Sequence, residues 1–241
     1  MIDGYMHLDL QAAAPLSDLR RRLEQSGQDG ALLVETWDGR NRDLMVRAQA
    51  VALPGIRYAY CFRGQDGPQI DELLAGPKVL ALRADTAALA RDDFPAARLA
   101  AGGTWLLAHA EEGIAALAGR LQHWTRQCPA LRVYVPHLGW PRRNGADEAD
   151  WADAMQGLAA IPTVIAGVSA LAHFSREPFP HDDMQPCVEH LCRLFGARRI
   201  VLGSDYPNSG AVLYAPLHAL GARWVAGALP DWDPHHDALQ R

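Results

Sequence analysis

Eight short apolar runs recur along this chain at roughly thirty-residue intervals, separated by helix-like stretches. They are Ile2–Leu8, GALLVET (30–36), IRYAYCF (56–62), KVLALRA (78–84), GTWLLAHA (103–110), LRVYVPHLG (131–139), PTVIAGVSAL (162–171) and RRIVLGSDYP (198–207). Most are apolar nearly throughout and do not alternate, which is the pattern of parallel strands buried on both faces. The intervening segments carry apolar residues at helical spacing. Leu16, Leu19 and Leu23 run from Ser17, the expected N-cap, to Gly27. Ile114, Leu117, Leu121 and Trp124 form a second stripe, and Trp151, Met155 and Leu158 a third. Val188, Leu191, Leu194 and Phe195 form a fourth, closed by Gly196. Such stripes are core faces packed on a sheet.

Eight β-α units in 241 residues predict one closed (β/α)8 barrel of the TIM type, with eight parallel strands in a single domain spanning 1–241. An open doubly wound sheet would need a glycine-rich phosphate turn after its first strand. The sequence there, MHLDLQAAAP, has none.

Composition narrows the partners. Hydrophobic residues make up 49% and charged residues 21%, a balance that supplies a full core. The net charge of −5 argues against nucleic acid or an anionic membrane as the main partner. No apolar run approaches a membrane span and no leader pattern opens the chain. The four cysteines form no C-x-x-C pair and read as reduced thiols of a cytoplasmic protein. A small-molecule substrate is the expected partner. A homo-oligomer stays open, since barrels often self-associate.

The C-terminal ends of barrel strands carry the chemistry of this fold. Read strand by strand, those positions hold His7, Glu35, Cys61 or Arg63, Arg83, His109, His137, Ser169 and Asp205. Core packing alone does not end nearly every apolar strand in a polar group, and convergent titratable groups mark a shared site. His7 and Asp205, on the first and last strands, should meet when the barrel closes. His123 and His190 fall in helices, and His235 and His236 in a polar tail. His173 and His181 lie in a long loop, 172–183, which is either a lid or plain surface.

These residues carry a resemblance. IDGYMHLD resembles the I-D-x-H-x-H opening of the amidohydrolase superfamily, and FGARRIVLGSDYP resembles the G-S-D-x-P signature of its amidohydrolase-2 branch. VPHLGWP, LLAHAEEG and VLALR are similar to that branch's strand-six, strand-five and strand-four segments. The branch includes sugar lactonases, pyrone dicarboxylate lactonase and metal-dependent nonoxidative decarboxylases. The resemblance implies a hydrolytic or decarboxylating enzyme, with His7, His109 and Asp205 binding metal or water and His137 beside them.

Tyr5 stands where the branch has its first histidine. Tyrosine is a poor neutral metal ligand, so His7, His109 and Asp205 remain as donors for one divalent metal, zinc by preference, with Glu35 as a further carboxylate. The sole lysine, Lys78, begins the fourth strand at the wrong end of the barrel, so no lysine-bridged binuclear centre is expected.

The favoured expectation is a hydrolase that requires no cofactor and acts on a small anionic lactone or ester. Asp205 takes the proton of water, His109 and His137 polarise the carbonyl, and His7 holds Asp205 or the water. Arg83 anchors a substrate carboxylate through a bidentate contact, Tyr5 donates to a developing oxyanion, and Glu35 joins them in substrate binding. Arg40, Arg42, Arg63, Arg142, Arg143 and Arg176 fall in the same loops and weakly favour an anion. Trp37, Tyr60 and Trp140 offer an apolar wall or are packing. Two alternatives are a mononuclear zinc decarboxylase or amidohydrolase, and a catalytically degenerate barrel that binds a ligand or partner.

Overall fold

Each apolar run becomes a strand. In the computed structural model, which describes residues 1–50, 53–65, 67–110, 112–141, 148–210 and 214–239, these are β1 (Ile2–Met6), β2 (Gly30–Val34), β3 (Ile56–Cys61), β4 (Val79–Ala84), β5 (Trp105–Ala108), β6 (Val133–Val135), β7 (Val164–Val168) and β8 (Ile200–Leu202). They form one eight-stranded sheet in the order β1 to β8, and every neighbouring pair is parallel. The ends meet just past the last strand. The His7 amide donates to the Tyr206 carbonyl at 2.7 Å, and the Asp205 amide donates to the Tyr5 carbonyl at 2.9 Å. The fold is a (β/α)8 barrel.

Helices cover the outside. They are α1 (Pro15–Ser26), α2 (Arg42–Ala50), α3 (Gly67–Leu74), α4 (Thr86–Leu89), α5 (Ala96–Gly102), α6 (Ile114–Gln127), α7 (Glu148–Ala159), α8 (Leu171–Phe174), α9 (Gln185–Phe195) and α10 (Tyr214–Ala228). The apolar stripes read from sequence are the buried faces of α1, α6, α7 and α9. Gly27 closes α1 in the left-handed conformation, with its amide on the Glu24 and Leu23 carbonyls. Ser17 is not the N-cap of α1. The helix starts two residues earlier, at Pro15, whose fixed φ and missing N–H suit a first helical position.

Two apolar layers result. Strand residues facing outward pack under the helices. Inward-facing Leu32, Val34, Leu80, Leu107 and Val201 fill the barrel, with Tyr5 and Tyr134 above them. The tail, expected to be polar, closes the N-terminal mouth: Leu239 joins the interior cluster and is 1% exposed. Arg57, at the start of β3, fixes it by pairing with Asp237 and donating to the Leu239 carbonyl at 3.1 Å. Among the described residues, no helix is long and apolar enough to cross a membrane. The four cysteines are free thiols.

Candidate active site

At the opposite mouth, a chamber of about 340 Å³ is lined by Tyr5, His7, Trp37, Arg83, His109, His137, Trp140, Ala170, His173, Phe174, Asp205 and Asn208. The predicted group His7, Arg83, His109, His137 and Asp205 is therefore gathered in one place, with Tyr5 among them. A second, more polar groove of about 580 Å³ shares His7, Trp37, Arg83 and Asn208 with the chamber and runs out past Asp9, Gln11 and Arg40.

Local backbone geometry aims these side chains. His137 opens a single turn after β6 with φ 56°, and Leu138 and Trp140 are also left-handed, as are Ala170 after β7 and Asp205 after β8. Non-glycine residues avoid that region, and their concentration around one cavity is characteristic of functional sites. The Trp151 indole of α7 donates to the Leu138 carbonyl at 2.7 Å and secures the β6 turn.

Hydrogen bonds then set what each ring presents. His7 Nδ1 lies 2.7 Å from the Val34 carbonyl, which accepts only, so Nδ1 carries the proton and Nε2 offers its lone pair to the chamber. His137 Nδ1 lies 2.9 Å from Ser169 Oγ, which also accepts from the His137 amide at 2.9 Å. The Ser169 hydroxyl proton can donate to Nδ1, an arrangement that has the ring proton on Nε2. Arg83 Nη2 lies 2.8 Å from His109 Nδ1 and 3.4 Å from Nε2, so the guanidinium donates chiefly to Nδ1 and leaves Nε2–H as a donor. Trp140 packs edge-on against both His109 and His137, with centroids 4.4 Å away in each case. Tyr5 lies 4.2 Å from the His137 ring centre and 5.3 Å from that of His7.

Asp205 Oδ1 stands 4.0 Å from His7 Nε2 and 3.9 Å from His137 Nε2. These contacts are not ion pairs, because both rings are held neutral. Burial, aided by the charge of Arg83, lowers the His7 pKa to about 4 against the bond to Val34. Burial also pushes His137 well below the usual histidine value, with the neighbouring His109 ring and the Arg83 charge adding to it. Burial acts oppositely on the acid. It raises Asp205 to about 7, although Asn208 donates to Oδ1 at 3.2 Å and Arg83 pulls the value down.

One sequence expectation needs correction. Glu35 does not line the chamber. Its carboxylate is fully buried and taken by Arg42 at 2.7 and 3.0 Å, by Arg63 at 2.7 Å and by the Cys61 amide at 2.7 Å. Burial alone would raise its pKa, but these donors hold it below the ordinary value. Its contribution is its carbonyl, which accepts from Arg83 Nη1 at 2.8 Å. Arg83 thus spends one N–H of Nη1 and one of Nη2 inside the protein, while its Nε has no partner among the described residues. Its guanidinium lies over Trp37, 4.4 Å from the ring centroid. Tyr60 is packed outside the barrel near Arg42, not in the chamber wall, while Trp37 and Trp140 do line it.

Three of the six loop arginines are paired elsewhere. Arg42 and Arg63 neutralise Glu35, and Arg40 pairs with Asp38. Arg142 and Arg143 lie outside the described residues. Asn208, His173 and Phe174 line the chamber and were not picked from the sequence as site residues. Asn208 comes three positions after Asp205, within reach of its carboxylate across one turn, and His173 comes after β7 as His109 and His137 come after their strands.

The donors do not fit a metal as they stand. Zinc draws three protein ligands to about 2.0–2.2 Å. His109 already accepts from the Arg83 cation, and a second cation there would meet that charge. Among the described residues no group of three His, Cys, Asp or Glu side chains converges as a metal site would require. Lys78 donates to the Leu53 carbonyl at 2.8 Å just before β4, at the far end of the barrel.

Comparison with known proteins places the chain in a family. The amidohydrolase family model matches residues 8–212. An L-fucono-1,5-lactonase of Burkholderia ambifaria is 39% identical over 90 residues, which is 36% of this chain and 30% of that protein. The match thus spans less than a third of the relative's length. An amidohydrolase of Burkholderia multivorans, solved with bound zinc, superposes with a TM-score of 0.74 at 21% identity, covering 95% of this chain and 92% of its own. A 5-carboxyvanillate decarboxylase of Sphingomonas paucimobilis superposes with a TM-score of 0.58 at 11% identity, covering 95% of this chain and 97% of its own. Both solved structures share the fold. The extent of the family match, from β1's end past β8, establishes that this chain belongs to the amidohydrolase family.

Proposed function

We propose that the protein is a hydrolase that opens a small lactone, with Asp205 as general base. The observation that carries this reading is the pairing of two acceptors: Asp205 Oδ1 and His7 Nε2 face each other across 4.0 Å in a buried chamber. Two acceptors at that spacing suit one water, which can donate a proton to each at roughly 2.8 Å. Opposite them, His137 Nε2–H and His109 Nε2–H are donors that can polarise a carbonyl and receive its developing negative charge. Tyr5 is placed beside them for the same task.

The reaction then balances with these groups. The water oxygen attacks the lactone carbonyl carbon as Asp205 takes its proton. The ring C–O bond breaks, and the ring oxygen leaves with the proton returned by Asp205. The product is a hydroxy acid. A lactone suits this apparatus better than an amide, because its carbonyl is more electrophilic and its alkoxide leaves more readily than an amide nitrogen.

The chamber supports an uncharged, hydroxyl-bearing lactone over the anion suggested by the arginine count. Among the described residues, Arg83 is the one arginine in its lining, and Asp205 opposes it. Trp37 and Trp140 supply flat apolar walls. The fuconolactonase relative points to the same substrate class.

The test is hydrolysis of 1,5-aldonolactones, beginning with L-fucono-1,5-lactone, by wild type and Asp205→Asn. The expected outcome is turnover that rises with pH through about 7 as Asp205 ionises, and a loss of about 10²–10⁴-fold in the variant. Inertness toward every lactone, together with release of carbon dioxide from an aromatic acid, would overturn the reading in favour of a decarboxylase.

A further inference from the structure

We propose that Asp3 is a positioning residue for Asp205, a role that rests on the reading of Asp205 as the base. Asp3 does not line the chamber. It is fully buried on β1, at the seam where the barrel closes, and it acts through the backbone.

The seam is irregular at this point. The β1–β2 register shifts between Asp3 and Met6, which takes Gly4 and Tyr5 out of the regular ladder. The strands also approach unusually closely. A Cβ on Gly4 would lie 2.8 Å from the Leu202 carbonyl oxygen, and one on Gly203 would lie 2.8 Å from the Tyr5 nitrogen. Two buried amides need an acceptor there, and unsatisfied buried amides are strongly disfavoured. The Asp3 carboxylate serves both. Its Oδ1 accepts from the Tyr5 amide at 3.2 Å and from the Ser204 amide at 2.9 Å. One oxygen thereby ties β1 to the residue immediately before Asp205.

The tie bears directly on the base. Asp205 has φ 56°, a conformation that a non-glycine residue keeps only when its surroundings over-determine it. The surroundings do so through a short network. The Tyr206 amide donates to Ser204 Oγ at 3.0 Å, Ser209 Oγ donates to the Ser204 carbonyl at 2.8 Å, and the Ser209 amide donates to the Asp205 carbonyl at 3.1 Å. Each of these bonds fixes the turn relative to itself. Three bonds fix it relative to β1 and to His7 just beyond it: the Ser204 amide to Asp3, the Asp205 amide to the Tyr5 carbonyl, and the His7 amide to the Tyr206 carbonyl. Asp3 is the side chain among these ties, and with the two backbone bonds it sets the spacing between His7 and Asp205. Behind it, α10 presents His218 and Tyr214, which close the carboxylate off from solvent.

The experiment compares wild type with Asp3→Ala and Asp3→Asn. Amide hydrogen exchange at Ser204 and Asp205 is monitored by NMR, and kcat and KM are measured on L-fucono-1,5-lactone. Asp3→Ala should speed Ser204 exchange and lower kcat by about 100-fold with KM little changed, as for a displaced catalytic group. Asp3→Asn keeps an acceptor oxygen and should restore both exchange protection and kcat toward wild type. Unchanged exchange and kcat in Asp3→Ala would overturn the proposal, as would an Asp3→Asn protein that folds but fails as badly as Asp3→Ala. Should Asp3→Ala not fold, Asp3→Asn decides by the same two readouts. A wild type inert toward lactones refutes the hydrolase reading, and the exchange measurement still decides whether Asp3 holds the turn.

Discussion

Asp205→Asn should make the folded protein more stable at neutral pH, even as it removes the proposed base. Burial raises the Asp205 pKa from 3.8 to about 7. The native state therefore binds more protons than the unfolded chain between those values, and stability falls as pH rises through that window. A shift of about three units corresponds to roughly 4 kcal/mol of unfavourable ionisation at pH 8. Asparagine keeps an oxygen to accept from Asn208, now bonded to Asp205 at 3.2 Å, and carries no charge. The variant should match the wild type near pH 4 and exceed it by about 4 kcal/mol at pH 8, or roughly 8–16 °C in Tm for a domain of this size. Other groups with shifted values, such as His7 and His137, are common to both proteins and largely cancel in the difference. Urea melts of the two proteins at pH 4, 5.5, 7 and 8 provide the assay. A stability difference that stays flat across this range would refute a strained, proton-hungry Asp205, and with it the physical basis for its role as base.

Three other perturbations have definite expected outcomes. Leu239→Ala empties part of the barrel's lower mouth and should cost about 2–4 kcal/mol in urea unfolding while leaving kcat unaltered; unchanged stability would mean that the tail does not plug the interior. Glu35→Gln removes the carboxylate that holds Arg42 and Arg63, and should cost about 1–3 kcal/mol, because those arginines are partly exposed and regain water. It should also raise KM by loosening the β2 loop that carries Trp37, which steady-state kinetics will check. Dialysis against a chelator should leave lactone turnover intact; stoichiometric zinc whose removal abolishes turnover would show that the Arg83–His109 contact yields to a metal.

Much of the site was legible because strand ends are. Parallel strands read as apolar runs, and the residue that ends each run sits at one mouth of the barrel whatever its chemistry. His7, Arg83, His109, His137 and Asp205 were found this way. Glu35 obeyed the same rule and yet turned away, because two arginines and an amide lie on its other side. Position along a strand says where a Cα stands. It does not say which way a side chain turns when two partners compete for it.

The repeat of eight apolar runs determined the barrel by itself, since eight strands buried on both faces have few other ways to cover their surface. It also determined that His7 and Asp205 would be neighbours, because closure joins the first strand to the last. Tertiary structure alone decided the protonation of the site. Burial set Asp205 near 7 and the histidines low, the Val34 carbonyl and the Arg83 guanidinium chose the ring tautomers, and the Asp3 carboxylate fixed the seam. These depend on residues distant in the chain brought within 3 Å, where a single hydrogen bond reverses what a ring can donate, and no local pattern of residues encodes that.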